Sequence, residues 1–188
     1  MDKKALIRAE NLKKYFELGG GFFSSSNDVV KAVDGLNFKI YEGETLGIVG
    51  ESGCGKSTTG RLLLQLLEPT AGKVFYKDNE LTKLSGKRLK KMRRNFQMIF
   101  QDPHASLNPR MSVKRIIAEP LLTHNLYSEN REERIDELLE AVSIPNSYKD
   151  RYPHEFSGGQ RQRIGLARAV AVNPQFMVAD ESVASLDV

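Results

Sequence analysis

At 188 residues, with 28 basic against 24 acidic side chains and a net charge of +4, the chain is long enough for one domain with a real core and too short for two large ones. A single cysteine, Cys54, excludes an internal disulfide, and apolar runs such as Leu62 to Leu64 fall far below the roughly 20 residues of a membrane-spanning helix. With no apolar signal core in MDKKALIRAENLKKYF, the sequence reads as a soluble, cytoplasmic protein.

The first candidate site residue is Tyr15, in LKKYF. A flat aromatic face can stack on a nucleotide base, although a tyrosine taken alone is more commonly a core or boundary residue. ELGGGFFSSSND, from Glu17 to Asp28, reads as a connector between early strands. Next, Val33, Leu36, Phe38 and Ile40 alternate with polar residues, as in a half-exposed antiparallel strand, and Leu46 to Val49 run continuously apolar, as in a buried parallel one. GESGCGKST follows, Gly50 to Thr58, and matches G-x-x-x-x-G-K-[ST] between a strand and a helix, KSTTGRLLLQLL, which is expected to stop at Glu68-Pro69.

The chemistry of that motif is local. Backbone N–H groups from Ser52 to Ser57 can form an anion nest, Lys56 supplies a cation to the β and γ phosphates, and Ser57 offers a hard oxygen to Mg²⁺. Cys54 reads as a small loop-filling residue rather than a reactive thiol.

Beyond it, KVFYKD and FQMIFQD read as strands, the second ending in Gln101, whose amide can ligate a metal and orient a water. Between them the basic run Lys83 to Arg94 lacks interleaved aromatics and reads as a solvated face, with nucleic acid as the rival partner. From Asp102 the pattern turns helical. Asn130 with Glu133 fits a capping box, and Ile135, Leu138, Leu139 and Val142 share one face until Pro145.

EFSGGQRQRIGLARA then opens a helix, expected to close at Asn173-Pro174, with Ser157 and Gln160 in capping-box spacing. Such a box does not require Gly158 and Gly159, which cost helix stability, so their missing side chains point to an anion approaching the helix N-terminus. QFMVADE restores a buried strand ending in Asp180, placed to hold Mg²⁺, and Glu181, a candidate general base for water attack on a γ phosphate, although paired acids also cap helices. His104, His124 and His154 show no ligand spacing and read as structural.

Taken in order, GESGCGKST, FQDP, FSGGQRQR, VADE and SLD resemble the motifs of ATP-binding cassette ATPases, across essentially the whole chain. More narrowly, FQDPHASLNPRMSV and RYPHEFSGGQRQRIGLARA resemble the ATPase subunits of oligopeptide and dipeptide importers. The resemblance implies an α/β fold, a P-loop NTPase core with an antiparallel β subdomain and a helical insertion. Its parts would be residues 1–101 (core and β subdomain), 102–157 (helical subdomain) and 158–188 (signature helix, Walker B strand and D-loop) of a single cassette spanning 1–188.

It implies ATP and Mg²⁺ as cofactors. Tyr15 would stack on adenine; Gly50, Glu51, Ser52, Gly53, Cys54, Gly55, Lys56, Ser57 and Thr58 would surround the phosphates. Gln101 would sense the γ phosphate and join Ser57 and Asp180 around the metal, and Glu181 would be the catalytic base, assisted by Lys56. Ser157, Gly158, Gly159 and Gln160 would contact ATP held by a second cassette, with Asp187 communicating across that dimer. The implied partners are this second ATPase subunit, transmembrane permease subunits touched by Gln101 to Arg110 and, indirectly, a peptide-binding protein, with no nucleic acid; the implied location is the inner face of the cell membrane.

Two rivals keep the same fold: a soluble cassette ATPase acting on nucleic acid, and a nucleotide-binding fragment without turnover. The sequence departs from the family in Ser182, where proline usually follows the glutamate, and in ASLD in place of SALD. It also stops at Val188, before the family's switch histidine and remaining strands, which predicts low solubility and weak hydrolysis.

Overall fold

The computed structural model describes residues 4–17, 29–100 and 106–180, which fall into two compact units divided between Leu89 and Lys90. In the first unit, β1 (Ala5–Glu17) pairs antiparallel with β2 (Val29–Tyr41) on one edge and with β3 (Ala71–Tyr76) on the other. A short β4 (Asn79–Glu80) completes a sheet of order β2-β1-β3-β4. The expected half-exposed character of β2 holds, with Val33 and Ile40 buried between exposed Asp34, Asn37 and Lys39.

Period-2 alternation cannot link Val33 to Leu36 without a change of phase, and the pairing register supplies one. Four β2 residues, Val33 to Leu36, stand against three of β1, Leu12 to Lys14. Immediately beyond, three β2 residues, Lys31 to Val33, stand against Lys14 and Tyr15. Successive irregularities of this kind bend a strand and re-aim its side chains.

Helix α1 (Lys56–Leu63) follows the glycine loop and buries Leu62 and Leu63. It ends before the Glu68-Pro69 boundary expected from proline. Gln65 takes φ 51°, its N–H donates to Leu62 O at 3.1 Å, and Leu66 N donates to Arg61 O at 2.9 Å, a Schellman-type stop.

Leu46 to Val49 depart from the buried parallel strand that their composition predicts. No strand forms there, and Leu46 (42%), Ile48 (44%) and Val49 (92%) are exposed. A parallel strand exists only by hydrogen bonding to neighbours and burial on both faces, and no described strand pairs with this segment.

The division between units falls within α2 (Gly86–Met92), a basic helix with no buried residue. In the second unit β5 (Phe96–Ile99) pairs parallel with β6 (Phe176–Ala179) in unbroken register. Paired on one edge only among the described residues, β6 is half-exposed instead of buried as its composition predicts.

Between these strands lie α3 (Val113–Thr123), α4 (Arg131–Ala141) and α5 (Gly158–Val170). Ile117 and Leu121, Ile135 and Leu139, and Ile164 and Ala167, one pair from each helix, meet in one apolar cluster. The first amides of α3 are satisfied by the carbonyls of Arg151 and Lys149, at 2.9 and 2.8 Å, which ties its start to the segment before α5. Helix α4 buries the predicted face, but Asn130 caps it without a side-chain hydrogen bond, so the expected capping box is absent. It ends at Ala141, before Pro145, with Ser143 at φ 55°. Helix α5 likewise closes at Val170, three residues short of Asn173, itself at φ 52°.

Candidate nucleotide site

The glycine loop of the first unit is held by its own lysine. Lys56 Nζ donates to Gly50 O at 2.9 Å and Glu51 O at 2.7 Å, so one ammonium bridges the loop's entry. Cys54 N donates to Glu51 O at 3.3 Å and closes a turn around Ser52 and Gly53. A Cβ on Gly50 would stand 2.6 Å from Cys54 Sγ; the thiol therefore occupies space that glycine vacates, as a loop-filling residue should.

Gly55 is the pivot into α1. It has φ +93°, and a Cβ there would lie 2.0 Å from Ala32 O, so both the left-handed turn and the close approach to β2 require glycine. Its carbonyl accepts from Thr59 N at 2.8 Å and from Thr59 Oγ1 at 3.0 Å, which starts the helix under the loop. Among the described residues no backbone carbonyl accepts from the amides of Gly53, Gly55 or Lys56. Amide donors, an ammonium and the positive end of a helix are a donor set that fits a phosphate. Ser57 and Thr58 stand half-buried on the first turn, with hydroxyls of the type a hard cation takes.

Tyr15 is brought near this loop by strand pairing. It stands opposite Lys31, the residue before Ala32, and Ala32 carries the carbonyl against which Gly55 rests. Its phenol donates to Asp34 Oδ1 at 2.5 Å, a bond that raises the tyrosine's pKa and lowers the aspartate's. The tyrosine is half-exposed, not a core residue.

In the second unit, Asp180 follows β6 at its carboxyl end, its N–H donating to Ile99 O at 3.0 Å and its residue surface 9% exposed. Gln101, Glu181, Ser182, Asp187 and His104, with residues 18–28 of the expected connector, lie outside the described residues.

At the start of α5 the expected capping box forms. Ser157 Oγ accepts from Gln160 N at 3.3 Å, and Gln160 Oε1 accepts from Ser157 N at 2.9 Å. A Cβ added at Gly158 or Gly159 would meet nothing within 4 Å. Neither glycine is required by packing within the described residues.

Sequence reasoning missed Arg168 and Asp34. Arg168, half-buried on α5, donates from Nη1 to Ser106 O at 2.5 Å, and desolvation lowers its pKa. Its only sequence signal is a cation on an otherwise apolar helical face. Asp34 carries no local signal, because its partner is 19 residues away.

Together, a glycine loop ending in Gly55-Lys56, a strand-borne tyrosine beside it and a capped Ser-Gly-Gly-Gln helix define a nucleotide-binding cassette. The family model described as ABC transporter matches residues 33–184, and the chain belongs to that family.

Across its whole length it is 51% identical to the oligopeptide transport ATP-binding protein AppF of Bacillus subtilis (strain 168), covering 57% of that protein. Against OppF of the same organism, also an oligopeptide transport ATP-binding protein, it is 53% identical over 97% of this chain and 59% of the relative. The chain thus spans a little over half the length of the curated relatives it matches. Its fold is that of the ATP-binding cassettes: it matches the dimeric cassette MJ0796, solved in a post-hydrolysis state bound to ADP and Pi, with a TM-score of 0.84 and 30% identity, covering 96% of this chain and 76% of that one.

Proposed function

We propose that this chain is the ATP-binding and ATP-hydrolysing part of a peptide importer's cassette subunit. The observation that carries the nucleotide reading is the loop Gly50–Thr58, its amide donors and Lys56 seated against β2 beside Tyr15. The importer reading is supported by identity of 51 and 53% to two oligopeptide transport ATP-binding proteins. When bound, Mg-ATP supplies the phosphoryl group whose hydrolysis drives transport.

Within this reading the loop from Gly50 to Gly55, with Glu51, Ser52, Gly53 and Cys54 between, wraps the phosphates, and Lys56 neutralises them. Ser57, Thr58, Gln101 and Asp180 serve the metal and the phosphates around it, while Tyr15 stacks on the base. Glu181 accepts the proton of the attacking water, which Gln101 orients. Ser157, Gly158, Gly159 and Gln160 would meet the γ phosphate of ATP held by a second cassette; packing among the described residues requires neither glycine. Asp187 communicates across that dimer, and the stretch from Gln101 to Arg110 meets the transmembrane subunits.

The domain division proposed with this function is 1–101, 102–157 and 158–188, and the location is the inner face of the cell membrane. No helix among the described residues is long and apolar enough to cross it.

Glu181→Gln tests the assignment in a subunit extended to the length of its relatives. Hydrolysis is expected to fall by at least about 100-fold, the loss of a general base, while Mg-ATP binding persists. Turnover at the parent rate would place the base elsewhere. Recovery of transmembrane permease subunits with the protein from native membranes tests the importer reading, and co-purification with nucleic acid would overturn it.

A further inference from the structure

Asp34 lies within the most irregular stretch of β2, inside the first of two successive departures from regular pairing with β1. That irregularity does two things at once. It turns the Ala32 carbonyl against Gly55 of the phosphate loop, and it brings the Asp34 carboxylate to Tyr15 although Lys31, not Asp34, is the tyrosine's pairing partner.

The carboxylate gathers one hydroxyl donor and two ammonium groups. Tyr15 Oη lies 2.5 Å from Oδ1, Lys13 Nζ lies 3.7 Å from the same oxygen, and Lys31 Nζ lies 3.7 Å from Oδ2. The Lys31 ammonium also stands 5.5 Å from the Tyr15 ring centroid, over one face. The tyrosine backbone is tied separately, its N–H donating to Thr70 Oγ1 at 3.0 Å while Thr70 N donates to Lys13 O at 2.8 Å. The strand therefore fixes where Tyr15 starts, and Asp34 fixes where its ring points.

We propose that Asp34 is the positioning residue of the base-stacking tyrosine: it locks the Tyr15 ring through the phenol and holds Lys31 over one ring face, leaving the other face for the base. This rests on the reading that Tyr15 stacks on the nucleotide base. A half-exposed phenol free to rotate would pay the entropy of ordering at the moment of binding, whereas a ring already held loses less. The low pKa of Asp34, caused first by the tyrosine hydrogen bond and also by both lysines, keeps the acceptor ionised. Asp34 acts only through Tyr15 and Lys31, so its effect belongs to the base-dependent part of the affinity.

The experiment is calorimetric titration of the 188-residue chain with Mg-ATP and with Mg-tripolyphosphate, which has no base, for Y15A, Y15F, D34A, D34N and the double variant Y15F/D34A. Circular dichroism checks that each variant is folded. Since aromatic–base stacking is worth up to about two factors of ten, D34A is expected to weaken Mg-ATP by about five- to tenfold and to leave Mg-tripolyphosphate unchanged. Y15F should lose part of that factor, D34N, which keeps an acceptor oxygen but not the charge that holds Lys31, should recover part of the loss, and D34A should cost less in the Y15F background than in the parent.

Unchanged Mg-ATP affinity in D34A overturns the proposal. So does equal weakening of both ligands, or a full additional loss in Y15F/D34A, since either would mark Asp34 as a general stabiliser of the sheet. If Y15A itself binds Mg-ATP like the parent, the stacking reading falls and the proposal with it. If Y15A loses base-dependent affinity while D34A does not, only the proposal falls.

Discussion

Gly55 shows how much one missing Cβ decides. Alanine there would sit 2.0 Å from Ala32 O at φ +93°, a contact with backbone that no rotamer relieves. Gly55→Ala is expected to destabilise the first unit by about 1–3 kcal/mol or more, read by thermal denaturation, and to abolish Mg-ATP binding. Gly50→Ala meets a side-chain atom instead, Cys54 Sγ at 2.6 Å, so Cys54→Ala should rescue it and should not rescue Gly55→Ala.

His124 offers a different residue-scale test. Desolvation first, then the charges of Lys90 and Arg94, hold its pKa below the usual 6.5. A group whose folded pKa is depressed in this way is neutral in the fold and protonated earlier in the unfolded chain. Its contribution is fully present above about 6.5 and is lost as the pH falls below that value. Urea unfolding at pH 7.5 and 5.5 should therefore show a smaller acid loss for His124→Gln than for the parent. An equal loss would assign the pH dependence to other groups. The partners of both residues are distant in sequence, so neither effect can be read from a local window.

At the scale of the element, α5 separates what a helix needs from what a ligand needs. Ser157 and Gln160 cap it reciprocally, and that geometry was legible because a capping box is local, three residues from end to end. Gly158 and Gly159 contribute nothing to it, and both have open space at the Cβ position. Alanine at either site should stabilise the helix by up to about 1 kcal/mol in thermal or chemical denaturation, since glycine is the poorer helix former. In a full-length subunit the same substitution should reduce ATP-driven dimerisation and hydrolysis. A stabilised variant with undiminished hydrolysis would show that the glycines are not reserved for a phosphate. The ends of α1 and α4 were harder to foresee. Both stop at residues in left-handed conformation, Gln65 and Ser143, well before the prolines that the sequence offers as punctuation.

At the scale of the whole molecule, the segment from Leu46 to Val49 has its apolar side chains in water. A short exposed run of this composition promotes association. The variant Val49→Ser is expected to lower light scattering and hydrophobic-dye binding of the 188-residue chain without lowering its unfolding temperature, because Val49 is 92% exposed and almost no packing is lost. Unchanged scattering would locate the association elsewhere. The sequence by itself determined the phosphate loop, the amphipathic face of α4, the cap of α5 and the family, because each depends on residue types at short fixed spacings that dictate turn geometry, capping or periodic burial. Only the tertiary structure decided which apolar segments become strands, where β2 changes phase, and that Asp34 reaches Tyr15 and Arg168 reaches Ser106. A strand or a bulge has no local signature, and a cation on an apolar helical face does not name its acceptor, since the hydrogen-bonding partner comes from elsewhere in the chain and is chosen by the fold.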